Sequence, residues 1–146
     1  MTGPLFFDTN VLIYSLDPSD STKRATAVSL IDRSLDEDRL VVSVQSLNEC
    51  YRVLTGRRQL IPQQAARSFV DMLSGACNAP LSPDTLRLAW TLEDETNYSW
   101  WDCLLLASAL LAGCTHFLTE DMSDAHEIRG MALVNPFARD LQPLFS

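Results

Sequence analysis

Short runs of apolar residues alternate along this sequence with longer segments in which apolar residues recur at helical spacing. The short runs have the length and composition of buried strands and cover 5–7, 40–44, 116–118 and 131–134, with a weaker candidate at 76–79. The longer segments predict helices at about 8–16, 21–35, 45–56, 62–75, 82–95 and 99–113. Strands that alternate with helices indicate a mostly parallel sheet that helices cover on both faces. We therefore expect an α/β fold, a three-layer sandwich with a central sheet of four to five strands.

The composition is that of an ordinary globular chain. Its 146 residues are 47% hydrophobic and 21% charged, and at roughly 150 residues per domain we expect 1–146 to form one domain. The longest apolar run, 103–114, is far shorter than the roughly 20 residues that cross a bilayer. The first residues show no secretion signal, and the four cysteines lack the spacing of a zinc site. These features predict a cytoplasmic protein with free cysteines and no contact with a membrane.

The chain is acidic, since 11 Lys and Arg residues against 19 Asp and Glu residues give a net charge of −8. A surface this negative repels the phosphates of nucleic acids, so RNA binding would need a local basic patch or bound cations. Arg52, Arg57 and Arg58 are candidates for such a patch, because they lie on or just after one predicted helix. The alternative is that these arginines only lie on a solvent-exposed helix face and bind nothing.

Acidic side chains recur where predicted strands end and where helices begin. Asp8 directly follows the first strand, and Asp121 comes shortly after the strand at 116–118. Glu49 lies about one turn into a predicted helix, and Asp102 lies in the first turn of the most apolar helix. In open parallel sheets, sites form beyond the carboxyl ends of the strands. We therefore expect these four carboxylates to converge at one edge of the sheet.

Each acid also has a purely structural explanation. Asp8 could cap the helix that follows it, and Asp102 could form a capping box with Ser99. Glu49 could pair with Arg52, which lies three residues further along the same helix. Taken together, however, four converging carboxylates repel one another unless a proton or a cation compensates them. Carboxylate oxygens suit a hard divalent cation, and the lack of a Cys and His cluster in the sequence argues against zinc.

Five segments carry motifs whose order and spacing are specific, although each motif is weak by itself. They read FDTNVLIY at 7–14, SVQSLNECY at 43–51, SWWDCLL at 99–105 and FLTEDM at 117–122, with a final segment at 128–137. In this combination the chain resembles the PIN-domain ribonucleases, specifically the VapC-type toxins of toxin–antitoxin pairs. The resemblance spans nearly the whole chain and implies a PIN-like sandwich.

The resemblance also implies which residues carry the chemistry. It identifies the catalytic, metal-binding acids as Asp8, Glu49, Asp102 and Asp121, and the polar residues that support them through hydrogen bonds as Asn10 and Thr119. The implied cofactor is Mg²⁺, with Mn²⁺ as the alternative, and the implied reaction is hydrolysis of phosphodiester bonds in structured RNA such as tRNA. The implied partners are a second copy of the chain and a small VapB-like antitoxin that blocks the active site.

Two other enzyme classes place an Asp after the first strand. Phosphatases of the haloacid dehalogenase type need a second Asp where this chain has Asn10, and they need a lysine after a later strand. Response regulators need the same lysine, whereas the only lysine in this sequence is the early Lys23. The alternative that stays open is a catalytically inactive PIN scaffold that binds RNA or protein without cutting it.

Overall fold

Five short strands and six α-helices build residues 3–145, the part of the chain that the computed structural model describes. The strands are β1 (Leu5–Phe7), β2 (Leu40–Val41), β3 (His116–Leu118), β4 (Glu127–Ile128) and β5 (Met131–Val134). The helices are α1 (Thr9–Tyr14), α2 (Ser21–Asp36), α3 (Val44–Thr55), α4 (Gln63–Ser74), α5 (Pro83–Glu95) and α6 (Trp100–Leu111). A 3₁₀ turn at Gln142–Leu144 follows the last strand. No helix within 3–145 combines the length and the apolar character needed to span a membrane.

The strands form one sheet in the order β2-β1-β3-β5-β4. All pairs are parallel except β4 with β5, an antiparallel pair at one edge. In the central register, Phe6 lies opposite Phe117, which in turn lies opposite Leu133. These central strands are buried along nearly their whole length, as parallel strands between two helical layers must be. The prediction of a mostly parallel sheet with four to five strands is therefore confirmed.

Alternate residues of the strands face two separate cores. Leu5, Phe7 and Leu118 pack into a core with helices α1 to α4. Phe6 and Phe117 point to the opposite face and pack against α5 and α6, with their rings stacked at 4.8 Å. Successive side chains of a strand point to opposite faces, so a sheet that is apolar on both faces needs a helical layer on each. This arrangement is the predicted three-layer sandwich.

Three predicted elements differ from the observed ones. The predicted strand 40–44 ends at Val41, because the hydroxyl of Ser43 caps α3 by accepting a hydrogen bond from the backbone N–H of Ser46. The segment 76–79 is not a strand, although the N–H of Val42 donates to the carbonyl of Ala76. The first helix ends at Tyr14, two residues earlier than predicted.

Strand β4 was not predicted from the sequence. This strand has only two residues, and it pairs with β5 across a tight turn at Arg129 and Gly130, which both have positive φ. A two-residue turn with positive φ at both positions is the common connection of a hairpin. The Arg–Gly pair was the available signal, but two residues are too short for any hydrophobic alternation to appear.

Candidate active site

The topology places two of the predicted acids at the same edge of the sheet. Asp8 follows β1 directly, and its backbone N–H donates to the carbonyl of Leu118, the last residue of β3, at 3.0 Å. Because β1 and β3 are parallel neighbours, the segment 119–121 leaves the sheet beside Asp8. Asp8 and Asp121 therefore meet, as predicted from the carboxyl ends of the strands.

A network of short hydrogen bonds joins Asp8 to Asp121. The hydroxyl of buried Thr119 donates to Oδ2 of Asp8 at 2.8 Å, and the backbone N–H of Asp121 donates back to that hydroxyl at 3.1 Å. The Nδ2 amide of Asn10 donates to Asp121 Oδ2 at 2.9 Å and to Thr119 Oγ1 at 3.1 Å, with Asp8 Oδ2 at 3.4 Å. Asn10 and Thr119 thus lie where supporting residues would act.

Glu49 reaches the same region from α3. Its Oε2 accepts from the hydroxyl of Thr9 at 3.2 Å, and its Oε1 accepts from the amide of Gln45 at 3.3 Å. Thr9 directly follows Asp8, so this contact ties Glu49 to the end of β1. The pairing of Glu49 with Arg52, the structural alternative, is not among the ion pairs of residues 3–145.

Asp102 lies in the first turn of α6 and is half-buried. Its backbone N–H donates to the hydroxyl of Ser99 at 3.2 Å, so Ser99 caps this helix. Asp8 also caps a helix, because its Oδ1 accepts from the N–H of Thr9 at 2.7 Å. Asp8 can therefore cap a helix and also belong to the acidic site, the name used below for Asp8, Glu49, Asp102 and Asp121 together.

Burial and neighbouring negative charges raise the pKa of two of the acids, Asp8 and Asp102. Burial of Asp8 raises the pKa of its carboxyl to about 6, against the opposing effect of hydrogen bonds from Thr119 and Thr9, and the charges of Asp102 and Asp121 raise it further. Burial also raises the pKa of Asp102, to which the charges of Asp121 and Glu49 add. The charges of Asp102 and Asp121 therefore act on Asp8, and the charge of Glu49 acts on Asp102, so Asp102 links Glu49 to the other acids.

This raised pKa predicts an inverse dependence of stability on pH. The ordinary pKa of an Asp carboxyl is 3.8, so the folded protein holds the Asp8 proton more tightly than the unfolded chain does. The stability that this proton contributes is complete below pH 3.8 and is lost as the pH rises through 6. At about 1.4 kcal/mol per pKa unit, the loss reaches about 3 kcal/mol at pH 7.

The measurement is the difference in free energy of unfolding between Asp8→Asn and the wild type, from urea titrations between pH 4 and pH 8 without divalent ions. We expect the variant to gain about 2 kcal/mol relative to the wild type between pH 4 and pH 7, because part of the full difference is already lost at pH 4. Taking the difference cancels His116, whose pKa is lowered mainly by burial and whose effect on stability has the opposite sign. A difference that stays constant with pH would show that Asp8 titrates normally.

The chemistry of these donors fits a divalent cation. They are all carboxylate oxygens, and none of the four acids forms an ion pair with Lys, Arg or His in the part of the chain that the structure describes. The negative charge therefore has no basic partner there. As they are placed, however, no three His, Cys, Asp or Glu side chains of residues 3–145 form a group that could hold one ion. Oδ2 of Asp8 and Oδ2 of Asp121 instead accept hydrogen bonds from Thr119 and Asn10.

The structure separates the three predicted RNA-binding arginines. Arg52 and Arg57 are exposed on or just after α3. Arg58 is engaged elsewhere, because its guanidinium contacts the carboxylate of Asp17 at 3.2 Å. Arg58 is therefore less available for a phosphate than the other two arginines.

The sequence analysis assigned no role to Thr9 and Gln45, the two residues that hold Glu49. For Gln45 a signal existed, because it precedes Glu49 by four residues on one helix and such pairs face each other. The contact of Thr9 with Glu49 joins residues 40 positions apart, so no local sequence pattern could have predicted it.

A family model described as PIN domain matches residues 5–127, whereas no curated protein matches the sequence. Among solved structures, VapC20 of Mycobacterium tuberculosis, described as a sarcin–ricin loop cleaving toxin, superposes with a TM-score of 0.56. The two sequences are 20% identical, and the match covers 77% of this chain and 86% of that chain. At this identity the similarity shows a shared fold, in agreement with the α/β sandwich predicted from the sequence.

Proposed function

The chain belongs to the PIN-domain family, and on this basis we propose that it is a metal-dependent endoribonuclease that acts as a VapC-type toxin. The observation that carries the proposal is the acidic site itself. The charges of Asp102 and Asp121 add to the effect of burial on Asp8, and those of Asp121 and Glu49 add to the effect of burial on Asp102, while no basic side chain within 3–145 pairs with any of the four acids. Carboxylates that lack a basic partner repel one another, and a bound cation would relieve this repulsion.

We propose Mg²⁺ as the cofactor, with Mn²⁺ as the alternative. The residues that would hold it are Asp8, Asp102 and Asp121, with Glu49 completing the set. When bound, such an ion neutralises charge on a phosphodiester group and makes water a better nucleophile at neutral pH. Hard cations of this kind prefer oxygen ligands, which is the donor set that these residues offer.

The surrounding polar residues of the chain orient the acids. Thr119 and Asn10 fix the Oδ2 atoms of Asp8 and Asp121 through hydrogen bonds of 2.8 Å and 2.9 Å. Thr9 holds Glu49 against the end of β1. Polar groups that orient ligand side chains in this way typically change metal affinity or activity by 10–100-fold when they are lost.

The proposed substrate is structured RNA, of which tRNA is one candidate. The similar VapC20 is described as cleaving the sarcin–ricin loop, which supports a folded RNA rather than a particular one. Arg52 and Arg57 are exposed and could contact phosphates, which position an RNA without specifying its sequence. A net charge of −8 makes such local contacts necessary.

Three further parts of the proposal come from the resemblance to VapC-type toxins. The protein would act as a homodimer in the cytoplasm. A VapB-like antitoxin would neutralise it by blocking the acidic site. Chromosomal neighbourhood tests the last point, since a small reading frame that encodes a DNA-binding N-terminus is expected beside the gene.

One observation favours the alternative of a catalytically inactive scaffold. Within the described residues, no three potential ligands are grouped to hold an ion. A scaffold of this kind would bind RNA or protein without cutting it, and Mn²⁺ would leave its stability nearly unchanged. A nuclease that binds Mn²⁺ would instead gain stability with ion concentration.

A cleavage assay with end mapping tests the proposal. Purified protein is incubated with a structured RNA in Mg²⁺, and the termini of the fragments are sequenced and tested for phosphate. Hydrolysis at the proposed site should leave 3′-hydroxyl and 5′-phosphate ends. Fragments with 2′,3′-cyclic phosphate ends would exclude this chemistry, and intact RNA across tRNA and ribosomal substrates would favour the scaffold.

A further inference from the structure

Beside the acidic site, three side chains from distant parts of the sequence form a closed cluster: Tyr14, Lys23 and Glu120. The Tyr14 hydroxyl donates to Oε1 of Glu120 at 2.5 Å, and Nζ of Lys23 donates to Oε2 at 2.7 Å. Nζ of Lys23 also lies 3.3 Å from the Tyr14 hydroxyl. Both oxygens of the Glu120 carboxylate are therefore engaged, one by a hydroxyl and one by an ammonium group.

The cluster is sheltered on one side by aromatic rings. Nζ of Lys23 lies 4.7 Å from the centre of the Tyr14 ring and 5.4 Å from that of Phe137. The two rings pack edge to face at 5.0 Å. The side chains of Lys23 and Glu120 are only 33% and 21% exposed. An ion pair that is partly removed from water is screened less than a pair on the open surface.

Glu120 connects this cluster to the acidic site. It lies between Thr119 and Asp121, and its backbone N–H donates to Oδ1 of Asn10 at 3.4 Å. Asn10 and Tyr14 are four residues apart on α1, so they project from the same face of that helix. One face of α1 thus holds the segment 119–121 at two points, through Asn10 at the acids and through Tyr14 at Glu120.

We propose that Tyr14, Lys23 and Glu120 are positioning residues that hold Asp121 against Asn10 and Asp8. The inference rests on the proposed function, which it extends to side chains that form no hydrogen bond with the carboxylate groups of the four acids. Asp121 itself is exposed and lies in a segment without regular structure. Its carboxylate accepts a hydrogen bond from the amide of Asn10. The contacts that hold the neighbouring Glu120 limit how far Asp121 can move away from that amide. A displacement of about 1 Å in a catalytic group costs up to about 100-fold in rate.

The test compares Glu120→Gln, Lys23→Met and their double variant with the wild type. Kinetics on a structured RNA in Mg²⁺ should show kcat lowered about 10-fold to 100-fold in each single variant, with KM within about 2-fold. Both substitutions break the same ion pair between Lys23 and Glu120. The kcat of the double variant should therefore lie within about 2-fold of the kcat of the less active single variant. Lys23→Arg, which keeps the charge, should retain kcat within about 3-fold.

A second measurement does not depend on activity. Hydrogen exchange of the metal-free protein should show faster exchange of the Glu120 and Asp121 amides in Glu120→Gln and Lys23→Met, but not in Lys23→Arg. Tyr14→Phe removes the two hydrogen bonds of the hydroxyl but keeps the ring and the ion pair between Lys23 and Glu120, so it should fold and show a smaller loss of kcat. The matched controls are Arg24→Met and Glu127→Gln, exposed residues that form no ion pair within 3–145.

The outcomes distinguish this proposal from the proposed function. If folded Glu120→Gln and Lys23→Met keep the wild-type kcat while Asp8→Asn is inactive, the positioning role is wrong and the nuclease assignment stands. If Asp8→Asn keeps full activity, the proposed function itself fails. A fall in thermal stability with no change in kcat at saturating RNA would also overturn the positioning role, since it would show that the cluster only stabilises the fold.

Discussion

Asp8→Asn should abolish RNA cleavage, with kcat lowered at least about 1,000-fold, because the loss of a ligand charge at a metal site removes several kcal/mol of transition-state stabilisation. Asp8 is the acid at the centre of the site. It is 7% exposed, it follows the interior strand β1, and its carboxylate is linked through Thr119 and Asn10 to Asp121. No other acid of the site has this combination of burial and connectivity.

The same variant should fold normally. Asn retains one side-chain oxygen, which can accept the hydrogen bond from the N–H of Thr9, so it is as good a helix cap as Asp; its amide nitrogen takes the place of Oδ2, the atom that accepts from the hydroxyl of Thr119 in the wild type. Removing a buried charge with a raised pKa should stabilise the metal-free protein at neutral pH. Loss of activity together with retained or increased stability would identify Asp8 as a functional residue.

Kinetics and thermal unfolding of the same preparations measure both effects. Asp71→Asn is the matched control, since Asp71 is an exposed acid on α4, and its substitution should leave both cleavage and stability close to those of the wild type. RNA cleavage by Asp8→Asn at the wild-type rate would remove Asp8 from the mechanism.

Withdrawal of divalent ions should have an effect of the same size. EDTA in excess is expected to stop cleavage, and added Mg²⁺ or Mn²⁺ should restore it, because the four acids have no basic partner within the described residues. The rate of RNA cleavage is measured over a series of free Mg²⁺ concentrations.

Ionic strength is held constant in this series with a monovalent salt, because Mg²⁺ also screens repulsion between RNA and an acidic protein. Substrate binding is measured separately in EDTA, so that a loss of chemistry is distinguished from a loss of affinity. Cleavage that continues at an undiminished rate in EDTA would rule out a metal-dependent reaction.

The layers of the fold could be predicted from the sequence, and so could the proximity of Asp8 and Asp121 in the site. Runs such as Leu5–Phe7 that are apolar at every position belong to strands covered on both faces, and the structure has this arrangement. Asp8 and Asp121 could be brought together from the sequence, because parallel neighbours end at the same edge. Asn10 and Thr119 were named from the resemblance, and the structure links them by a hydrogen bond of 3.1 Å.

The remaining features depend on tertiary packing. Whether Arg58 faces RNA or contacts Asp17 is decided by contacts 41 positions apart, which a helix pattern does not reveal. The contact between Lys23 and Glu120 spans 97 positions. Such long-range polar contacts carry no periodic signal, in contrast to hydrophobic alternation, which is visible locally.

We propose that carboxylates from distant segments of the chain share one divalent cation. Crystals grown with Mn²⁺ and measured at a wavelength where manganese scatters anomalously would reveal the position of this ion. We expect an anomalous peak at about 2–2.5 Å from a carboxylate oxygen of Asp8 and of at least one of Asp102 and Asp121. Manganese that appears only at other acidic positions, or at none in a preparation that cleaves RNA, would show that these carboxylates do not share a cation.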